Sequence, residues 1–459
     1  MGVVKLVVIG GDAAGMSAAS QARKRLGTDR LEIVAFERGR FTSYSACGIP
    51  YWIGGAVDDL DALIARSPEA HRKAGIDLRM RHEVTAIDTA NREVVARDLV
   101  GGGEVRESFD HLVYATGATP VTPEWAQGPA SGVFGVQTLD DGTAIQEWLD
   151  GEPAPRTAVV IGGGYIGVEM AEAMLKRGLD VTLLEKSAQP MGKTVDPEVG
   201  ALVAEAIRGQ GIKVVTEAHV DGLSAAGGRV RAVVTPAGEV PADIVVLGLG
   251  VRPNSALAAA AGLPVGPTGG VRTDRQMRVE GTENIWAAGD CVETRHLITG
   301  EPVHVPLGTH ANKQGRVAGI NLAGGYASFP GVIGTAVTKV CELEVARTGL
   351  TEKEATHAGY EYVTALVEST SRAGYYPGAS KMTIKLIAER RTGTLLGAQI
   401  VGKAEAAKRI DALAVAVWNR MSVEEMTALD LSYAPPFAPV WDPVLIAARK
   451  ATEAVHAAT

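Results

Sequence analysis

Six of the seven residues from Val3 to Ile9 are apolar, with only Lys5 breaking the run. That continuous pattern predicts a parallel strand buried on both faces, not the alternating strand of a half-solvated sheet. Glycines follow, and the spacing then becomes helical over about 15–26. A second strand, Leu31 to Phe36, ends at Glu37 and completes a βαβ unit. The same order returns from Arg156: a strand over Thr157 to Ile161, a glycine turn, a helix over about Tyr165 to Arg177, and a strand over Asp180 to Leu184 that ends at Glu185. Between the two units lie shorter β-like pieces, Arg79 to Asp88, Glu93 to Asp98 and Val105 to Phe109. His111 to Ala118 then predicts a strand running into a glycine turn. Residues 121–155, rich in Pro, Gly and Asp, read as a crossing between domains. Asp243 to Leu249 and Ile285 to Asp290 predict further strands. From about Phe329 strands and helices continue without a nucleotide motif, and the tail after Lys450 is expected to fray.

This pattern predicts an α/β chain with two Rossmann-like dinucleotide-binding domains and a third, C-terminal α+β domain. A length of 459 residues is too great for one ordinary core and fits two to four domains. The divisions expected are 1–120 together with 251–328, then 121–250, then 329–459. A net charge of −8 disfavours nucleic acid and anionic membranes as partners. No apolar stretch is long enough to span a bilayer, and the N-terminal run lacks the features of a signal peptide. The three cysteines, Cys47, Cys291 and Cys341, form no CxxC pair, and that usage fits a reducing cytoplasm. Cys291 is expected to be a packed small residue and Cys341 to sit in a core strand. The histidines and cysteines never approach zinc spacing, so no metal is expected.

The turns carry the chemistry. In a dinucleotide fingerprint the first glycine permits the tight turn, the second lets backbone approach a pyrophosphate, and the third lets helix pack on strand. The helix N-terminus then offers N–H groups and partial positive charge to the phosphates. Gly162, Gly164 and Gly167 fit fully, and Glu185 stands where an acid binds ribose hydroxyls. An acid there favours NADH, while Lys186 leaves room for NADPH. In the first motif, Gly10-Gly11-Asp12-Ala13-Ala14-Gly15, Asp12 replaces the second glycine; Gly11 is expected to supply the close approach, and Glu37 is its ribose acid. Cys47 stands between the two motifs in Ser45-Ala46-Cys47-Gly48-Ile49-Pro50. A helix N-terminus after Ala46 is expected to lower its pKa and favour the nucleophilic thiolate.

With Ala115-Thr116-Gly117 and Ala288-Gly289-Asp290 joining two such units, the chain resembles the FAD-dependent pyridine nucleotide-disulfide oxidoreductases over essentially its whole length. The resemblance implies FAD on Gly10, Gly11, Ala14, Gly15, Glu37, Arg38, Thr116, Gly117, Asp290 and Gly308. It implies NADH or NADPH on Gly162, Gly164, Tyr165, Ile166, Gly167 and Glu185, and a C-terminal domain that makes a homodimer. Many members carry CxxxxC and a C-terminal His–Glu pair. Here Trp52 stands five residues after Cys47, and no histidine lies between His357 and His456. What remains resembles the single-cysteine branch, closest to the coenzyme A disulfide reductases and CoA-persulfide reductases. Peroxidases and oxidases of that branch place a histidine where Ala13 stands. The segment Ser432-Tyr433-Ala434-Pro435-Pro436 and the segment Gly374-Tyr375-Tyr376-Pro377-Gly378 resemble the tyrosine motifs of coenzyme A disulfide reductases. Tyr433 is thereby implied to reach the second subunit's cysteine, with Tyr375 assisting.

Ser17, Gln21, Lys24 and Arg25 share one helical face, and Arg72 and Lys73 add positive charge that suits the phosphates of coenzyme A. By resemblance Ser17, Gln21, Lys24, Ser43 and His310 align with substrate contacts; Ala46 departs from the asparagine of better-known reductases. The implied reaction is NAD(P)H-dependent reduction of coenzyme A disulfide or persulfide through a mixed disulfide on Cys47. The rival readings are an NADH oxidase cycling a Cys47 sulfenic acid, a flavin electron carrier of the ferredoxin-reductase type, and a nonenzymatic redox sensor.

Overall fold

The computed structural model describes residues 2–128 and 130–458. Strand β1 (Val4–Ile9), helix α1 (Ala13–Arg30) and strand β2 (Leu31–Glu37) form the first βαβ unit, with Val4 opposite Leu31 in parallel register. Short helices α2 (Ile49–Ile53) and α3 (Pro68–Lys73) follow, then β3 (Asp77–Met80). The expected strand from Arg79 to Asp88 is divided, because Arg81 takes a left-handed φ of 60°. His82–Asp88 belongs instead to a three-stranded antiparallel sheet with Glu93–Asp98 and Glu104–Ser108. Strand β4 (His111–Tyr114) returns to pair with β1.

The stretch 121–155 is more than a crossing. It carries β5 (Val133–Phe134) and α4 (Leu139–Leu149), the latter opened by a Thr138/Asp141 capping box. The second unit contains β6 (Thr157–Ile161), α5 (Tyr165–Lys176), β7 (Asp180–Leu184), α6 (Pro197–Gly209), β8 (Lys213–Val215) and β9 (Ile244–Leu247). Its sheet runs β8-β7-β6-β9-β5, with each neighbouring pair parallel. Strand β10 (Ile285–Ala287) then rejoins the first sheet, whose order is β10-β4-β1-β2-β3. Helix α7 (Gly308–Leu322) packs on α1. The approach requires glycine: a Cβ at Gly315 would lie 2.2 Å from the Ala14 carbonyl oxygen, and one at Gly319 2.4 Å from that of Ala18.

The third unit is an antiparallel sheet, β11 (Ala336–Val340), β12 (Leu343–Gly349), β13 (Tyr362–Thr370), β14 (Lys381–Glu389) and β15 (Leu395–Gly402), in the order β11-β12-β15-β14-β13. Helices α8 (Ala406–Trp418) and α9 (Pro443–Ala458) cover one face. Two expectations fail here. The tail after Lys450 does not fray, because Ala451 and Val455 pack into the third core and Arg390 binds the Ala458 carbonyl. Cys341 is buried, but in the β11–β12 turn with a φ of 54°, not in a strand.

Candidate active site

The two glycine turns are built alike. A Cβ at Gly10 would meet the Ala115 oxygen at 2.1 Å, and one at Gly162 would meet the Gly248 oxygen at 2.4 Å. Both glycines have positive φ, which admits this close turn. A Cβ at Gly15 would lie 2.0 Å from the Gly10 oxygen and one at Gly167 1.8 Å from the Gly162 oxygen, so each third glycine lets its helix touch its strand. The acids at the strand ends also match. Glu37 accepts from the N–H of Gly11 at 2.7 Å and of Gly39 at 2.6 Å; Glu185 accepts from Gly163 at 2.5 Å and from Ser187 at 2.7 Å. Neither α1 nor α5 has an acidic residue in its first turn or a side-chain capping bond from its N-cap residue, Asp12 or Gly164. A Cβ at Gly164 would meet nothing within 4 Å among the described residues. Two uncapped helix ends over glycine turns are cradles suited to a diphosphate. A cavity of about 360 Å³ opens beside the first turn, lined in part by Asp12, Glu37, Arg38, Phe41 and Tyr44. These features fit a dinucleotide at each turn.

Asp12 is the discordant residue. Its carboxyl accepts from the Tyr44 N–H at 3.3 Å. Burial, then the charge of Glu37, push its pKa up to about 6, despite that bond. Ala14 is buried against Ala288 and Ala311. Thr116 donates to the Asn254 carbonyl, and Asn254 bonds back to Thr116 and Gly117, which ties this turn to residues after the second sheet. Gly289 donates to the buried Gln314 side chain at 2.8 Å, which fixes the turn holding Asp290. Burial raises the Asp290 pKa against the opposing influence of His304.

Cys47 lies in a single 3₁₀ turn, Ala46–Gly48, ahead of α2. Ile49 and Ile53 anchor α2 in the second unit's core. Its loop is stitched to the first turn, since Thr42 Oγ1 bonds the Gly11 carbonyl. Ser45 N donates to the Leu63 carbonyl at 2.8 Å. The thiol is exposed, yet its pKa is raised, by desolvation first and then by the carboxylates of Glu169 and Asp290. The expected lowering by a helix terminus is overturned: one 3₁₀ turn before a five-residue helix does not outweigh desolvation and two acids.

Sequence gives no cue to Glu169, which shares the polar face of α5 with Glu172 and Lys176. Thr338 Oγ1 donates to it at 2.6 Å and the Tyr51 hydroxyl bonds it as well; burial nonetheless raises its pKa. Tyr165 is mostly enclosed, its pKa pushed up to about 12 chiefly by burial. Ile166 packs at the edge of the second core.

The expected substrate contacts divide. Ser17 Oγ donates to Asn312 at 2.8 Å, and Gln21 lies against Gly319, so both sit at the α1–α7 seam. Lys24 is exposed near the end of α1. Ser43, with φ 49°, pairs its hydroxyl with His71 Nε2 at 2.8 Å. His71 is buried, its Nδ1 has no partner among the described residues, and burial lowers its pKa to about 4. Arg72 donates to the Leu78 carbonyl and contacts Glu69, so its guanidinium is held toward β3. His310 stacks edge-on against Phe329, near Gly308, which opens α7; burial lowers its pKa. Tyr375 and Tyr433 are exposed on the third unit, away from Cys47's loop in sequence. Their loops touch through Ala373 N and the Pro435 carbonyl, and Arg409 donates to both Ser371 and Phe437 carbonyls.

Two parallel sheets with paired glycine turns and a lone exposed thiol between them define an oxidoreductase built around two dinucleotides. Residues 4–315 match the pyridine nucleotide-disulphide oxidoreductase family and residues 335–443 its dimerisation domain; the chain belongs to this family. The family is FAD-dependent and uses NAD(P)H. The chain is 40% identical over 449 residues to an NAD(P)H coenzyme A polysulfide/persulfide reductase of Pyrococcus horikoshii, covering 97% of this chain and 98% of that one. It is 36% identical to an NADH oxidase of Methanocaldococcus jannaschii, with 98% of each covered. The crystal structure of reduced Bacillus anthracis CoADR-RHD superposes with a TM-score of 0.95 at 34% identity, covering 100% of this chain and 81% of that one. Among the described residues no helix is long and apolar enough to cross a membrane, and no group of side chains is placed to hold a metal.

Proposed function

We propose that this chain reduces coenzyme A disulfide or coenzyme A persulfide with NADH or NADPH, and that Cys47 is the residue that meets the substrate. The observation carrying this reading is Cys47 itself: the one exposed thiol, lying between the two turns, while Cys291 and Cys341 are buried. The division is 1–120 with 251–328 for FAD, 121–250 for NAD(P)H, and 329–459 for a homodimer contact. Three unpaired cysteines suit the cytoplasm.

Cys47 attacks one sulfur of the substrate as the thiolate. A sulfur–sulfur bond to Cys47 forms, the substrate's own breaks, and one thiolate (hydrosulfide from a persulfide) leaves. Gly10, Gly11, Gly15 and Glu37 would hold FAD at the first turn, where it would supply the two-electron link between NAD(P)H and Cys47. Reduction of the mixed disulfide with uptake of a proton frees coenzyme A and restores the Cys47 thiolate. Tyr433 of the second copy, assisted by Tyr375, orients the leaving sulfur and supplies a proton. Ser17, Gln21, Lys24, Ser43, Arg72 and His310 hold the coenzyme, with Arg72 first leaving its carbonyl partner.

The relative named as an NADH oxidase favours a second reading, in which oxygen chemistry passes through a Cys47 sulfenic acid. Intact mass before and after reductant separates the two. A reductant-labile addition of one coenzyme A, absent from Cys47→Ser, supports the first. Rapid oxygen consumption without added disulfide supports the second. Full disulfide turnover by Cys47→Ser would sink the first, and undiminished oxygen consumption by Cys47→Ser the second.

A further inference from the structure

Three polar side chains interrupt the buried sheet of the third unit, in one row. Arg347 on β12 is the register partner of Gln399 on β15, which is the partner of Lys385 on β14. Their side chains therefore leave the same face, opposite the one where Ala346, Ala398, Ile384 and Leu386 meet α8 and α9. Lys385 and Gln399 are each 1% exposed. An ammonium so buried is unfavourable unless fully paired, and here it is. Lys385 Nζ lies 2.7 Å from Glu198, 3.4 Å from Asp196 and in contact with Glu352. Gln399 exchanges two bonds with Asp196, giving Nε2–H to Oδ2 at 2.6 Å and accepting from the Asp196 N–H at 2.7 Å. Arg347 donates to the Thr194 carbonyl at 3.1 Å.

All three thus grip residues 194–198, the approach to α6. That segment leads to the second glycine turn. Gln189 Nε2 bonds the carbonyls of Val195 and Asp196, and Thr194 and Val195 donate to the Met191 carbonyl. Met191, at φ 57°, donates its N–H to the Gly163 carbonyl at 2.7 Å. Gly163 in turn donates to Glu185. An apolar row would fill the same space at no desolvation cost, so the polar row is best explained by the position it imposes.

We propose that Lys385, Gln399 and Arg347 are positioning residues that hold segment 189–196 against Gly163 and thereby set the affinity of the second turn for its nicotinamide nucleotide. This rests on the reading of that turn as the NAD(P)H site. The test uses the full-length holoenzyme. Lys385→Met is expected to raise the KM for NADH and the Kd for NAD⁺ (by calorimetry) roughly tenfold, with the KM for coenzyme A disulfide changed less than about twofold. Lys385→Arg should recover part of the loss. Hydrogen exchange should accelerate at 191–196 and stay unchanged in β1 and β4. Should Lys385→Met fail to fold, Glu198→Gln, at the cluster's more exposed edge, should move the same KM in the same direction by a smaller factor. Unchanged NADH KM and NAD⁺ Kd in the folded variants, whatever their melting temperature, would overturn the clamp. If the wild-type enzyme binds neither NAD⁺ nor NADP⁺, the reading of the turn fails instead.

Discussion

At the residue scale the site's charges are arranged against ionisation. Cys47, Asp12, Glu169 and Asp290 all have raised pKa values, with burial the leading cause in each. For Cys47 the direction means that the nucleophilic fraction grows as pH rises through the alkaline range. Glu169→Gln removes the stronger of the two acids acting on the thiol, so alkylation of Cys47 at neutral pH should quicken roughly two- to tenfold; stopped iodoacetamide labelling followed by mass spectrometry measures it. Asp12 permits a stability test with a defined sign. Its folded pKa of about 6 lies above the ordinary 3.8, so the folded state holds the proton more tightly. Its favourable contribution is complete below about pH 4 and lost as pH rises to about 6. In protein stripped of cofactor, Asp12→Asn should match wild type in melting temperature near pH 4. Above pH 6 it should melt higher than wild type, with an unfolding free energy greater by at most roughly 3 kcal/mol. Equal melting profiles across that range would contradict the assignment.

At the element scale, the chain's strongest patterns were the legible ones. The runs at 4–9, 31–37, 157–161 and 180–184 are mostly buried apolar residues, so periodicity suffices for them. What escaped depends on partners far along the chain. Nothing local distinguishes the helical tail after Lys450 from a frayed end until the third core takes up Val455. The Cys47 pKa follows from burial and then from Glu169, more than a hundred residues away, and the Ser43 hydroxyl is fixed by His71 on α3. Lys385 and Gln399 interrupt apolar strands, and only the register of β12, β15 and β14 joins them with Arg347 in one row. Gly315 tests the α1–α7 seam: the methyl of Gly315→Ala would overlap the Ala14 carbonyl and should cost roughly 1–3 kcal/mol or more. Because α1 starts at the first turn, FAD content after dialysis should fall in step with thermal stability. Arg409 tests the two tyrosine loops. It donates to Ser371 and Phe437 and pairs with Asp442, so Arg409→Ala should lower disulfide turnover more than Tyr375→Phe does, as read by steady-state kinetics.

At the scale of the whole molecule, the exposed Tyr375, Tyr433, Phe437, Val440 and Trp441 belong to neighbouring loops of the third unit. That much exposed aromatic and aliphatic surface in one region is the mark of a contact face. A twofold dimer through it would make each site depend on both chains, and complementation between variants tests this directly. Cys47→Ser lacks the nucleophile, and Tyr433→Phe lacks the hydroxyl proposed to reach the other copy. Each homodimer should be impaired in disulfide reduction. After mixed refolding or co-expression, if Cys47 from one chain faces Tyr433 from the other as proposed, a heterodimer would have one site with neither group and one with both. Turnover should therefore reappear on mixing, in proportion to the heterodimer isolated by differential tagging. If both groups instead served the site of their own chain, every heterodimer site would lack one of them and no activity would return. NADH-driven reduction of an artificial one-electron acceptor, which needs neither residue, should stay constant throughout and shows that each preparation is folded and loaded.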